Sequence, residues 1–402
     1  MHRAGHGRIG QGQTVAARDR TYMDWNATAP LMAPARDACV AALDLVGNPS
    51  SVHGEGRRLR SLVESARRDV AALAGAEPAH VIFTSGATEA ANLVLTPDFR
   101  MGRTPITIGR LYVSAIEHPA VREGGRFAAE KVAQIPVSSA GVVDLAALEA
   151  LLAGHDTADG LPMVAIMLAN NETGIVQPVR VAAEIVHRFG GLMVVDAVQA
   201  AGRMALSMEA LGADFLILSS HKLGGPKGAG ALVSRGEVLM PKPLIHGGGQ
   251  EKGHRSGTEN VAAITGFAAA ALAAVEGLGE GVAALAARRD AMEAEMLRLA
   301  PDTILHGKDA ARLCNTSFFS LPGLKSETGQ IAFDLEGIAL SAGSACSSGK
   351  VGASHVLTAM GFDAGLGALR VSIGRTTTDA EIARFLDAFE RIAGRRRREA
   401  AA

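Results

Sequence analysis

From about residue 80 onward, short apolar runs alternate with longer amphipathic stretches. The runs cover 80–84, 111–116, 133–137, 163–169, 192–195, 214–218 and 230–233, and stretches such as 144–153 and 179–189 carry apolar residues at helical spacing between them. Runs that are apolar throughout, without every-second-residue alternation, are what a strand buried on both faces requires. The alternation predicts βαβ units, hence an α/β large domain with a mainly parallel sheet covered by helices. Near residue 260 the texture changes. Residues 261–300 are alanine-rich and helical, broken by glycines at 277, 279 and 281, and shorter strands follow at 315–321, 337–341 and 369–373. That pattern predicts a smaller α+β domain. The expected boundaries are a loose N-terminal arm over 1–20, a segment over 21–35 packing near the small domain and the site, a large domain over 36–278 and a small domain over 279–402.

Composition narrows this picture mainly by exclusion. The chain has 402 residues, with 40 basic against 41 acidic side chains, so no global basic field suggests nucleic acid or an anionic membrane as partner. The arginine run at 395–398 reads as a solvated helix end. No apolar run approaches the length of a bilayer span, and the first twenty residues lack the apolar core and cleavage pattern of a signal peptide. Three cysteines, Cys39, Cys314 and Cys346, show no paired spacing, which fits a reducing cytoplasm better than a disulfide framework.

In open α/β sheets ligands collect at the carboxyl ends of the strands, and polar residues cluster there. The run at 80–84 ends in Ser85-Gly86-Ala87-Thr88-Glu89, that at 111–116 in Glu117-His118, that at 163–169 in Asn170-Asn171-Glu172, that at 192–195 in Asp196-Ala197-Val198-Gln199, and that at 214–218 in Ser219-Ser220-His221-Lys222. Backbone N–H groups at 85–88 suit a phosphate, or serve as an ordinary helix cap. Asp196 at a buried strand end calls for a cation, either a structural partner or a protonated pyridine nitrogen. Lys222, before a flexible glycine-rich turn, suits Schiff-base chemistry unless it is a surface lysine; Lys227 reads as a surface lysine or a minor phosphate neighbour. His118 suits ring stacking and proton transfer, or is structural. Arg370 interrupts an apolar strand, where its charge needs an anionic substrate or an internal ion pair. No histidine or cysteine cluster has metal-ligand spacing, so no metal is expected. Cys346 lies among small residues and glycines, as a nucleophile that must travel would, whereas Cys39 and Cys314 read as buried, inert thiols.

Taken together, MDWNATAP, GNPSSVHGEGRRLR, FTSGATEAANL, EHPAV, NNETGIVQP, VDAVQ, SSHKLGGPKGAGAL, HGGGQEKGHRSGTEN, LSAGSACSSG and RVSIGRTTT resemble the cysteine desulfurases of the class V aminotransferase-like family, fold type I pyridoxal-phosphate enzymes. The resemblance runs from Tyr22 to about Gly394. The GSACSSG segment narrows it to the nitrogen-fixation and iron–sulfur-assembly type, with residues 350–360 as part of a longer, flexible loop. The resemblance implies that Lys222 holds pyridoxal 5'-phosphate covalently, Asp196 pairs with its ring nitrogen, Gln199 with its phenolic oxygen, and His118 stacks on the ring. Ala87, Thr88, Ser219 and His221 would bind the phosphate, with Thr258 reaching the site of a second subunit in a homodimer. Asn171 and Arg370 would hold the carboxylate of L-cysteine, and Cys346 would take its sulfur as a persulfide for an acceptor protein. The expected product is L-alanine, and the loop over 345–354 is expected to be mobile. The alternatives are a selenocysteine lyase or transaminase on the same scaffold, or a non-catalytic partner-binding relative, which would not require Lys222, Asp196 and Cys346 together.

Overall fold

The computed structural model describes residues 20–343, 353–363 and 365–401, with side chains to Arg398. The expected loose arm before Arg20 and the segment carrying Cys346 lie outside the described residues.

Strands Thr104–Ser114, Leu161–Met167, Leu192–Asp196 and Phe215–Ser219 form a parallel centre, with Val132–Ile135 added in parallel beside the first. Gly230–Ser234 then runs antiparallel between Phe215–Ser219 and Val81–Thr84. At the other edge Asp98–Met101 and Leu239–Pro241 extend the sheet antiparallel. Asp98–Met101 escapes the apolar pattern because Asp98, Arg100 and Met101 are solvent-exposed and only Phe99 faces the core, and Leu239–Pro241 because it is only three residues long. The central strands bury both faces. Val164, Ile166, Val195, Leu216 and Leu218 pack under one layer of helices, while Met163, Ala165, Val194, Phe215 and Ile217 pack on the opposite side.

Register decides where the strands stop. Met167 pairs with Asp196, Thr84 and Ser219 both pair with Gly230, and the carboxyl ends of four strands therefore share one edge. Antiparallel Gly230–Ser234 begins at that edge. Gly230 has no room for a side chain, since a Cβ there would lie 2.6 Å from the Gly86 carbonyl carbon. Helix Val261–Glu276 is alanine-rich because it packs against helices Ala33–Leu43 and Gly54–Ala74, and Gly266 sits against the Cys39 thiol. Cys39 is consequently half-buried rather than fully enclosed, whereas Cys314 is buried. The expected glycine break is real: the helix ends at Glu276, turns by 78° and restarts at Glu280. Among the described residues no single helix is long and apolar enough to cross a membrane.

Beyond this bend lies an antiparallel sheet, ordered Ile304–Leu305, Thr316–Ser320, Leu369–Ser372, Ser341–Ala342. Phe319, Phe333, Phe385 and Phe389 meet over it. Thr21–Tyr22 pairs with Ile338–Ala339, and Met23 is buried in the same core. The chain thus leaves the small sheet at Asp24 and passes directly to the large one. Two expectations change here. Arg396 is buried and paired with Asp302 at 2.5 Å, so the arginine run partly staples helix Asp379–Ala401 to its neighbour instead of being wholly solvated. Residues 355–359 form a helix capped by Ser354, with Val356 and Leu357 buried, so this part of the stretch read as flexible loop is packed.

Candidate active site

A cavity of about 650 Å³ opens at the shared strand edge. At one end helix Ala87–Val94 begins at Gly86 with no side chain capping it, so its first N–H groups are left to an anion. Glu89 does not compete for them. It takes the Ser85 N–H at 2.9 Å and is held by Arg255 at 2.9 Å, which fixes the turn from outside. Ala87, Thr88, Ser219 and His221 line this end. His221 Nδ1 meets the Thr28 hydroxyl at 3.2 Å, and burial, reinforced by Lys222 and Lys227, lowers its pKa to about 4.

Lys222, Asp196, Gln199, His118 and Asn171 line the same cavity. Lys222 Nζ donates to the Asn26 and Ala27 carbonyls at 2.6 and 2.9 Å, so the N-terminal segment parks the ammonium. Asp196 accepts the Val198 N–H at 2.9 Å, and burial raises its carboxyl to about 6. It remains ionised at neutral pH, and a cation above it would offset that burial. His118 Nδ1 accepts the Ala120 N–H at 3.1 Å, which places the neutral ring's proton on Nε2. Burial, then the charges of Lys222, His355 and Arg122, lower its pKa to about 4. His118 is therefore a neutral ring and donor near pH 7, not a cationic acid.

Asn171 owes its place to Asn170, whose Oδ1 accepts the Glu172 and Thr173 N–H groups at 2.9 Å each and templates the turn. Gly174 completes it at φ 76°, packed too closely on Thr316 for a side chain. Arg370 donates to the Asn171 carbonyl at 2.8 Å and pairs with Asp24 at 2.7 Å. The internal ion pair considered for this arginine is thus present. Its Nε is buried with no partner among the described residues, leaving donor capacity for a carboxylate. Thr258 is exposed and outside this cavity, but it lines a smaller pocket that shares Ser85, Gly228 and Ala229 with it. Cys346 lies outside the described residues, although the chain on both sides of that segment approaches one carboxyl group. The Ser354 hydroxyl donates to Glu172 at 2.5 Å, and a Cβ on Gly343 would lie 2.8 Å from the same oxygen.

Some participants lie away from any strand end, and others stand at one without showing their role. Asp24 and Asn26 lie in the quoted MDWNATAP motif, but their partners are more than a hundred residues away. Glu117 is fully buried, accepts the Met167 N–H at 2.7 Å, and burial holds its carboxyl well above the ordinary range. Glu172 is likewise raised, to about 7, by burial. Because the unfolded chain releases this proton near pH 4.5 and the folded chain near 7, stability falls as pH rises through that window. Glu172→Gln is therefore expected to melt higher than the parent at pH 8, by on the order of 2 kcal/mol, with little advantage at pH 5. Thermal scans at the two pH values check this; an equal advantage at both counts against it.

Lys222 thus stands at the carboxyl edge of the large sheet, and Arg370 of the smaller sheet reaches Asn171 in the same cavity, an arrangement that fits an α/β transferase. The family model "Aminotransferase class-V" matches residues 21–385, and the chain belongs to that family. It is 38% identical over 389 residues to an IscS-like cysteine desulfurase of Mycobacterium tuberculosis, covering 95% of this chain and 98% of that one. It is 39% identical over 381 residues to a cysteine desulfurase of Cereibacter sphaeroides, covering 92% and 94%. Among solved structures, a NifS-like protein from Rickettsia africae superposes with a TM-score of 0.83 at 33% identity, covering 93% of this chain and 99% of that one.

Proposed function

We propose that this protein is a pyridoxal-phosphate-dependent cysteine desulfurase, converting L-cysteine to L-alanine and passing the sulfur to Cys346 and then to an acceptor protein. The observation that carries this reading is the convergence of Lys222, Asp196 and His118 on one cavity that is also lined by an uncapped helix N-terminus. The residues fit the cofactor: the N–H groups after Gly86 with Thr88, Ser219 and His221 suit its phosphate, Asp196 its ring nitrogen, Gln199 its phenolic oxygen and Lys222 its aldehyde. When bound, the cofactor supplies an electron sink for charge developing on the substrate.

The protein's own groups do the remainder. Arg370 and Asn171 orient the substrate carboxylate, with the guanidinium fork suited to a bidentate contact. Lys222 Nζ moves the proton from the substrate Cα. His118, neutral with its proton on Nε2, donates without adding a charge to the cavity. The Cys346 thiolate then attacks the substrate sulfur, the Cβ–S bonding pair goes to Cβ, which gains a proton to become the methyl group of alanine, and Cα regains a proton, leaving the sulfur on Cys346 as a persulfide. A free thiol is only a few per cent thiolate at pH 7, so deprotonation of Cys346 is part of this step.

The active unit in this reading is a homodimer in a reducing cytoplasm. Leu43, Val46 and Val52, 73%, 84% and 86% exposed, are large apolar side chains of one chain segment that self-association would cover, and exposed Thr258 lines a pocket that shares Ser85 with the site. Incubation with L-cysteine is expected to release alanine with no oxo acid, from a species that sediments as a dimer. Oxo-acid formation would favour a transaminase, and a fully active monomer would remove the shared site.

A further inference from the structure

Gln199 can help to hold the cofactor only if its amide presents N–H, not oxygen, to the cavity. A carboxamide can turn end for end at little cost unless its neighbours distinguish the two sides. Arg203 makes that distinction. Its Nη1 donates to Gln199 Oε1 at 2.8 Å and to the Gln199 backbone carbonyl at 2.7 Å. Arginine has no acceptor, so Oε1 must face the guanidinium and Nε2 the other way. Gln199 Nε2 spends one hydrogen on the Asn26 carbonyl at 3.0 Å and has a second to give.

The other arm of the same guanidinium reaches two further segments. Nη2 donates to the Trp25 carbonyl at 3.4 Å and the Lys222 carbonyl at 3.3 Å. Lys222 Nζ in turn donates to Asn26, the residue after Trp25. Arg203 thus ties the Asp196–Gln199 strand end, the N-terminal segment and the lysine backbone into one unit. All four of these hydrogen bonds go to oxygens of neutral groups, and the side chain is buried. Burial lowers its pKa to about 10, which leaves it cationic at neutral pH. A buried cation held by carbonyl dipoles is an expensive way merely to fill space.

We propose that Arg203 is a positioning residue, locking the Gln199 amide with its N–H side toward the cofactor and clamping the Lys222 backbone to the N-terminal segment. This rests on the cofactor reading above and extends it to a residue outside the cavity lining. Its consequence is electronic. An N–H donor stabilises a negative oxygen on the cofactor ring, and an amide turned the other way would oppose it. Losing the lock makes the nitrogen that joins Lys222 to the cofactor hold its proton more tightly.

The test is a pH titration of the visible absorption of the purified holoenzyme, whose midpoint reports that proton. Arg203→Met is expected to raise the midpoint by about one unit. In a Gln199→Ala background the same substitution should move it by less than half as much, because the two residues act as a unit. Arg203→Lys, which can still donate to both Gln199 oxygens, should restore most of the parent midpoint while melting lower, having lost the contacts to Trp25 and Lys222. Arg203→Gln, smaller and neutral, gives the same reading should Arg203→Met not fold. Overturning results are a lower melting temperature with an unmoved midpoint, or a shift that persists in full without Gln199. A parent protein with no visible cofactor band would instead defeat the cofactor reading itself.

Discussion

Lys222→Ala is expected to lower kcat for alanine release from L-cysteine by at least about 10²- to 10⁴-fold, the range for removing a positioned proton-transfer group. The reason is geometric. Nζ is within hydrogen-bond distance of the Asn26 and Ala27 carbonyls, inside the cavity that also holds Asp196 and His118. A second lysine, Lys227, lines the same cavity near His221, and its side chain is exposed. It is badly placed to substitute. The variant should still take up cofactor, because the uncapped helix start and Asp196 are unchanged. Steady-state kinetics with and without an added primary amine separate the roles. Retention of full activity would overturn the assignment of Lys222, while partial rescue by the amine would support it.

Cys346→Ser is expected to abolish sulfur transfer to the protein while leaving cofactor binding and the early spectral response to L-cysteine intact. Mass spectrometry of the parent after L-cysteine should locate added sulfur at Cys346. The other thiols are poor candidates for physical reasons. Cys314 is buried behind Lys222, and burial pushes its thiol pKa upward despite Arg203 and Arg289 nearby. Cys39 packs against Gly266 on the far helix layer, its thiol also raised by burial. By contrast, the chain flanking Cys346 meets Glu172, next to Asn171 of the cavity. Sulfur found on Cys39 or Cys314 would show that the nucleophile has been misassigned.

The sequence by itself determined the strand-end residues. Apolar runs fix where central strands lie, and each run ends where polar groups begin, so Ser85, His118, Asn171, Asp196 and Lys222 could be named before any strand was paired. Their union in one cavity follows from parallel order, a strong expectation for alternating strands and helices. What the tertiary structure decided concerns groups whose partners are remote in the chain. Asp24 meets Arg370 across 346 positions and Arg203 meets the Trp25 carbonyl across 178. Neither pairing has a local pattern, because both depend on how the N-terminal segment crosses from the small sheet to the large one. The protonation states were equally hidden. Glu117 and Glu172 follow ordinary strand ends in sequence, yet burial, joined at Glu117 by the Asp196 charge, raises their carboxyls, and burial belongs to the packed molecule rather than to the residue. The antiparallel edge strands were missed for a related reason. Asp98–Met101 is exposed on most of its length and Leu239–Pro241 is three residues long, so both are held by pairing with neighbours, and hydrogen bonds between backbones leave little mark on the order of side chains.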